Sequence, residues 1–188
     1  MLSPSAHHRH RFWPHLLLLW WVGWIIAGGC QPKPPPSPTA EAFRLEVQNI
    51  LRQLQQSLAA PTAQRDIAAI DKILATTAGS NPSICLDCPY RSGVFDQNGV
   101  LLTTFPKTKI AGMNFSAYKQ FQETIQKQRV TQSLFYLPDR AKMYFINAPL
   151  VQGRRVVGVV VLGMTPADLE RKWHLSGVEF LALDLNYP

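Results

Sequence analysis

Arg155 to Met164 (RVVGVVVLGM) carries five valines in ten residues and no charge after its first position. Valine at consecutive rather than alternate positions fits a strand covered on both faces, and it fits a helix less well, where the branched side chain loses rotamer freedom. A chain containing such a strand must build a sheet around it and supply a layer for each side. With 188 residues, of which 46% are hydrophobic and 16% charged, there is material for one modest domain plus appended segments. The composition suits neither a disordered chain nor several domains.

The flanking sequence supplies the other elements. From Thr39, the residues Phe43, Val47, Ile50, Leu51, Leu54 and Leu58 recur at spacings of three and four, predicting an amphipathic helix of about twenty residues. Ser37 or Thr39 suits its cap and Pro38 its first position. Pro61 is expected to interrupt it, and Thr62 to cap a second segment with Ile67, Ile70, Ile73 and Leu74 on its apolar face, ending at Gly79. The glutamine-rich polar face reads as solvated surface, with a partner-binding or dimerising helix as the sharper alternative.

Ser92–Asp96 and Val100–Phe105 flank Gln97-Asn98-Gly99, a hairpin signal because Asn and Gly tolerate positive φ. Ser116 is expected to cap a helix reaching about Gln128, with Tyr118, Phe121 and Ile125 on one face. Two strands follow, Val130–Leu137 and Lys142–Ala148, joined by the Pro138–Ala141 turn, with Pro149 ending the second. After the central strand, Thr165-Pro166 opens a short helix with Asp168 favourably placed for the helix dipole, and Val178–Leu185 is expected to form a last strand. Tight turns between successive strands make them antiparallel, so the fold class is α+β, an antiparallel sheet of five to six strands with a long N-terminal helix.

The N-terminus has a different character. Arg9 and Arg11, with His7, His8 and His10, precede the apolar run Leu16–Ile26, and Ala27-Gly28-Gly29 leads through small residues to Cys30. This is the layout of an export signal. An uncleaved signal anchor competes with it, but positions 16 to 29 fall short of the roughly 20 residues that span a bilayer core. The stretch resembles a bacterial lipoprotein signal, which implies that residues 1–29 are removed and that Cys30 receives a lipid. Gln31–Pro38 (QPKPPPSP) then reads as a stiff polyproline II tether, so segment 30–38 would hold the domain at 39–188 clear of the bilayer. The expected location is the cell membrane, with the domain facing the periplasm or the cell exterior.

Cleavage removes Arg9 and Arg11 from a net charge of +7 and leaves His174 as the last histidine. A His-rich metal site is thereby excluded, and no cofactor is expected. Lys107 and Lys109, Arg140 and Lys142, and Arg154 and Arg155 fall in scattered pairs near turns rather than in a basic stripe with interleaved aromatics, which argues against nucleic acid. Anionic head groups or an anionic ligand are the more natural partners for such charge.

From Gly93 to Met164 the chain resembles the Cache family of extracytoplasmic sensor modules, which have a PAS-like antiparallel sheet. The resemblance rests on Val94-Phe95-Asp96-Gln97-Asn98-Gly99 as a V-x-D-x-x-G hairpin, on Gly112-Met113-Asn114-Phe115-Ser116 leading into a helix with Phe121, on Ala148-Pro149-Leu150, and on Gly158 to Val161. It implies a small-ligand pocket between the sheet and the loop and helix after the first hairpin. Carried onto this chain, the lining would be Tyr118 and Phe121, then Ser133, Phe135 and Tyr136, then Tyr144 and Asn147. Ordinary core packing is the alternative reading for each of these aromatics. Amino-acid-binding members carry an arginine where Tyr118 stands, an aromatic at Gln120 and an aspartate at Gly163, so amino-acid specificity does not carry over. Lys119, Arg140 or Lys142 would be the residues to pair with an anion. The resemblance further implies signalling through contact with a membrane partner.

Cys85-Leu86-Asp87-Cys88 has the spacing of a redox site, but Pro89 follows it and strands come next, unlike a thioredoxin-type helix start. Haem attachment would need histidine at position 89, and zinc would need two further ligands. A Cys85–Cys88 disulfide in an oxidising compartment is expected. No catalytic role is expected; a structural or assembly lipoprotein with a filled pocket and a CxxC redox protein are the competing functions.

Overall fold

The computed structural model describes residues 37–80, 92–136 and 140–186. The expected export signal, Cys30, residues 31–36 of the expected tether, and Cys85 and Cys88 fall outside them. Ser37 accepts a hydrogen bond from the Ala40 N–H at 3.1 Å, and Pro38 takes the first helical position, so α1 (Pro38–Gln64) starts where the proline-rich stretch ends. Its apolar stripe from Phe43 to Leu58 is buried throughout.

Pro61 does not interrupt α1. It lies in the last turn, where its missing N–H affects only the carbonyl of Ser57, and Thr62 is buried inside the same helix rather than capping the next. The break comes at Arg65, whose left-handed backbone (φ 54°) ends the helix. Asp66 then opens α2 (Ile67–Ser80), its carboxylate accepting from the Ala69 N–H at 3.0 Å. The glutamine-rich face is not simply solvated either: Gln48 and Gln55 each donate at 2.8 Å, to the Asn186 and Pro149 carbonyls.

The sheet contains β1 (Ser92–Asp96), β2 (Leu101–Phe105), β3 (Thr131–Tyr136), β4 (Lys142–Gln152) and β5 (Arg155–Met164), in the spatial order β2-β1-β5-β4-β3. Every pairing is antiparallel, and the valine-rich strand is the central one, as its composition requires. Val160, Leu162 and Met164 face α1 and α2, while Val159 and Val161 face α3 (Lys119–Lys127) on the other side. The result is three layers, with the larger core between the sheet and the N-terminal helices.

Pro149 does not end β4, which continues to Gln152. The carbonyl of Pro149 points to Gln55, away from β5, and the N–H it lacks would point the same way. Pairing with β3 stops at Asn147, so proline sits on an open edge and leaves no partner unbonded.

The chain closes with α4 (Pro166–Trp173) and α5 (Gly177–Ala182), and α5 replaces the strand expected at 178–185. Ser176 and Glu179 form a capping box, in which each side chain accepts from the other residue's backbone N–H. Thr165 and Asp168 do the same for α4. Beyond α5, Asn186 accepts from the Val130 N–H at 2.8 Å, and Gln132 donates to the Phe180 and Leu183 carbonyls at 2.9 and 2.8 Å, so the segment is tied down by side chains rather than by a ladder.

Asp96 joins the two halves of this arrangement. Only 4% exposed, it accepts at 2.9 Å from both the Asn98 and the Val100 N–H, and its other oxygen pairs with Arg65 at the end of α1. Asp96→Ala is expected to lower stability by roughly 2–4 kcal/mol in denaturant unfolding, because two turn N–H groups and the guanidinium lose their acceptor together.

The bonds from the Ser176 backbone N–H and hydroxyl, 2.8 and 2.7 Å from Glu179, hold its carboxyl below the ordinary glutamate range. A folded value below the unfolded one gives stability that is present above the ordinary range and lost as pH falls through the lowered value. Amide exchange in α5, corrected for intrinsic rate, is expected to rise as pH falls below the ordinary glutamate range, and Glu179→Gln should flatten that dependence.

Candidate functional site

On the face opposite α1, side chains do not fill the space. A cavity of about 310 Å³ lies between the sheet and α3, closed on one flank by the loop from Pro106 to Tyr118. The register explains the space. Phe145 of β4 lies opposite Gly163 of β5, and Asn147 lies opposite Val161. With no side chain at 163 and only a hydroxymethyl at Ser133, the centre of this face has little to fill it.

The hairpin positions the loop. Gly99, at φ +80°, accepts at its carbonyl from the Phe115 N–H at 2.7 Å, and a Cβ on Gly99 would come 2.5 Å from the Ser116 nitrogen. The Leu101 N–H donates to the Met113 carbonyl and the Gly112 N–H to the Leu101 carbonyl, so the loop runs along the outer edge of β2. Ser116 does not cap α3. The helix starts after Tyr118 with no side-chain cap, and the Ser116 carbonyl instead accepts from the Gln122 amide at 3.1 Å.

Five of the residues expected at the pocket are brought together here: Tyr118, Phe121, Ser133, Phe135 and Asn147 all line the cavity. Tyr136 and Tyr144 do not. Tyr136 is 58% exposed, at the end of edge strand β3. Tyr144 turns to the opposite face, where its ring packs 5.2 Å from Phe180 and a Cβ on Gly177 would lie 1.7 Å from its hydroxyl oxygen. The reason is strand alternation: Tyr144 and Asn147 are three residues apart and cannot share a face, whereas Phe145 and Asn147 do. That parity, applied on both strands, would have selected Phe145 and excluded Tyr136 in favour of Ser133 and Phe135. Phe95, on β1, is a further wall missed, although its place in V-x-D-x-x-G next to an inward valine puts it on this face.

Among the described residues, the lining carries no Lys, Arg, His, Asp or Glu. Lys119, Arg140 and Lys142 are not part of it, so the anion-pairing expectation has no support from the cavity. Its polar residues are Ser92, Thr104, Tyr118, Gln120, Ser133 and Asn147, of which Ser92 shares the strand face of Val94 and borders the cavity through its backbone. Among the described residues, no cluster of three or more His, Cys, Asp or Glu that could hold a metal occurs. Chemically, such a concave apolar wall with a few polar groups suits holding a small molecule.

No protein-family model matches the sequence, and no curated protein matches it. Solved structures do. The ligand-binding domain of the Campylobacter jejuni chemoreceptor Tlp3, in complex with 4-methylisoleucine, superposes with a TM-score of 0.56 at 14% identity, over 73% of this chain and 57% of that one. The ligand-binding domain of Pseudomonas fluorescens chemoreceptor CtaA, with L-isoleucine, gives 0.53 at 14% identity, over 71% and 55%. That of Pseudomonas aeruginosa chemoreceptor PctB, with L-Arg, gives 0.53 at 14%, over 73% and 56%. The chain thus spans a little over half the length of these structures. At such identities the likeness is one of fold: the five-stranded antiparallel sheet with its long N-terminal helix is the Cache-like fold of chemoreceptor sensory domains.

Proposed function

We propose that this chain is a lipid-anchored extracytoplasmic domain that binds a small molecule in the cavity between its sheet and α3 and communicates occupancy to a partner protein in the membrane. The observation that carries this reading is the cavity itself. A protein interior normally packs to near crystal density, and here the described residues between β4, β5 and α3 leave space open around polar groups, whereas those facing α1 and α2 form a buried apolar cluster. A purely structural lipoprotein would be expected to fill that space. The chemoreceptor domains that share the fold are ligand-binding domains. On this reading Tyr118, Phe121, Ser133, Phe135 and Asn147 contact the ligand, with Phe95 and Phe145 completing the wall.

The anchor is Cys30. The run Leu16–Ile26 and the small residues 27–29 direct export, cleavage leaves Cys30 as the lipidated first residue, and the prolines that follow keep the cavity away from the head groups. Cys85 and Cys88 form a local disulfide in the segment between α2 and β1.

Two experiments test this. A small-molecule library screened by thermal shift on the purified chain is expected to yield stabilising compounds, and Ser133→Trp, which fills the cavity, should keep or raise the melting temperature while abolishing those shifts; a library without a single hit on the unaltered chain would overturn the binding role. In the second, Cys30→Ser is expected to move the protein from the membrane fraction to the soluble one, and mass spectrometry of the unaltered protein to find a diacylglyceryl group on Cys30. An unmodified cysteine would refute the anchor.

A further inference from the structure

We propose that the occupant of the cavity is a neutral aromatic molecule of one or two rings carrying a single hydrogen-bond donor, such as an N–H or O–H. This rests on the reading of the cavity as a binding site and names the class of its ligand. Six aromatic residues line the cavity in a connected series, Phe121 to Phe95 at 5.9 Å between ring centroids, then Phe115 at 5.3 Å, Tyr118 at 5.5 Å, Phe135 at 5.6 Å and Phe145 at 6.1 Å. The volume of about 310 Å³ is at the small end for ligand pockets, which sets the size.

Charge is the first discriminator. Among the described residues no ionised side chain lines the cavity, so a zwitterionic amino acid would give up its hydration with no counter-charge from them for either end. A cation held by rings alone needs several ring faces turned to one point. Here three of the five ring contacts are edge to face, so neighbouring edges already cover part of those faces. Flat apolar molecules continue such edge-and-face packing with no penalty for charge.

The polar end follows from a directional chain of hydrogen bonds that runs from the lining residue Asn147 to Thr131 and Thr124, which do not themselves line the cavity. Thr124 Oγ1 donates to the Gln120 carbonyl at 2.8 Å, so in its 2.7 Å contact with Thr131 Oγ1 it is the acceptor and Thr131 the donor. Thr131 Oγ1 therefore accepts from Asn147 Nδ2, which also faces the Thr131 carbonyl, each at 3.4 Å. A backbone carbonyl only accepts, which fixes the amide orientation. With its nitrogen committed to Thr131, Asn147 offers the cavity its carbonyl oxygen, and a matching occupant must donate. Ser133, on the same face of the neighbouring strand, lies beside this point.

The test titrates the purified full chain with indole, benzothiophene, L-tryptophan and tetramethylammonium, read by ligand-observed NMR and thermal shift. Benzothiophene keeps the shape of indole without the N–H; tryptophan keeps the ring and adds both charges. Indole is expected to bind about tenfold more tightly than benzothiophene, the ratio one hydrogen bond gives, and tryptophan and tetramethylammonium not to bind. Asn147→Leu should erase the indole preference while benzothiophene still binds. Binding of tryptophan or tetramethylammonium as tightly as indole, or equal affinity for indole and benzothiophene in the unaltered chain, would overturn the class and leave the binding role standing. Silence of all four probes overturns the class as well; the binding role itself falls only if the library screen is also silent.

Discussion

The carboxylate of Asp96 is the constraint on which the arrangement of the site depends. One oxygen closes the hairpin turn through the Asn98 and Val100 N–H groups, and the other holds Arg65 at the junction of the two N-terminal helices. The turn it closes ends at Gly99, and Gly99 in turn carries the Phe115 end of the loop that flanks the cavity. The helical layer, the sheet and the loop thus meet at one residue that is nearly inaccessible to water. A buried acceptor serving this many donors is hard to replace, because removing it strands each of them.

Around that point the two faces of the sheet have been given different packing. Toward α1 the inward positions are Val94, Ile146, Ala148, Leu150, Val160 and Leu162, all buried against the N-terminal stripe. On the other face, Gly93, Ser133, Asn147 and Gly163 appear among the aromatics. Small and polar residues where a core would take leucine or isoleucine remove volume and introduce hydrogen-bonding groups. Stability therefore comes mainly from the first layer, which leaves the second free to hold an occupant.

The fold was legible wherever one local signal was strong enough. Consecutive valines located the central strand, Asn-Gly located the hairpin, and the three-and-four spacing located α1. The errors share a cause: a residue with a strong local preference was read without its neighbours. Pro61 lies inside α1 because in the last turn only the Ser57 carbonyl loses a donor, and Pro149 inside β4 because the bond it lacks falls on an open edge, a fact of tertiary placement. Val178–Leu185 looked apolar enough for a strand, yet Ser176 and Glu179 carry the Ser-x-x-Glu spacing that starts a helix. In the site, the resemblance implies Tyr144 as lining, whereas parity with Asn147 places it on the other face. The direction of the Asn147–Thr131–Thr124 chain had no sequence signal, since it joins two strands and a helix.

The positive charge of the chain finds its use outside the cavity. Arg65 pairs with Asp96, Lys107 with Asp71, Lys172 with Glu46, and Lys127 and Arg171 with acidic residues on their own helices. The first three join separate elements, and Lys107 also donates to Thr103 at 2.9 Å, which ties α2 to β2 and to the start of the loop. The pairs exposed at both ends, such as Lys107–Asp71 and Lys172–Glu46, contribute only about 0–1 kcal/mol each. Their value is in orientation: they fix how helices and loop lie on the sheet without placing a charge inside it. On the proposed reading, recognition in the cavity rests on shape, ring packing and hydrogen bonds, whose strength does not fall with ionic strength as that of exposed charge pairs does.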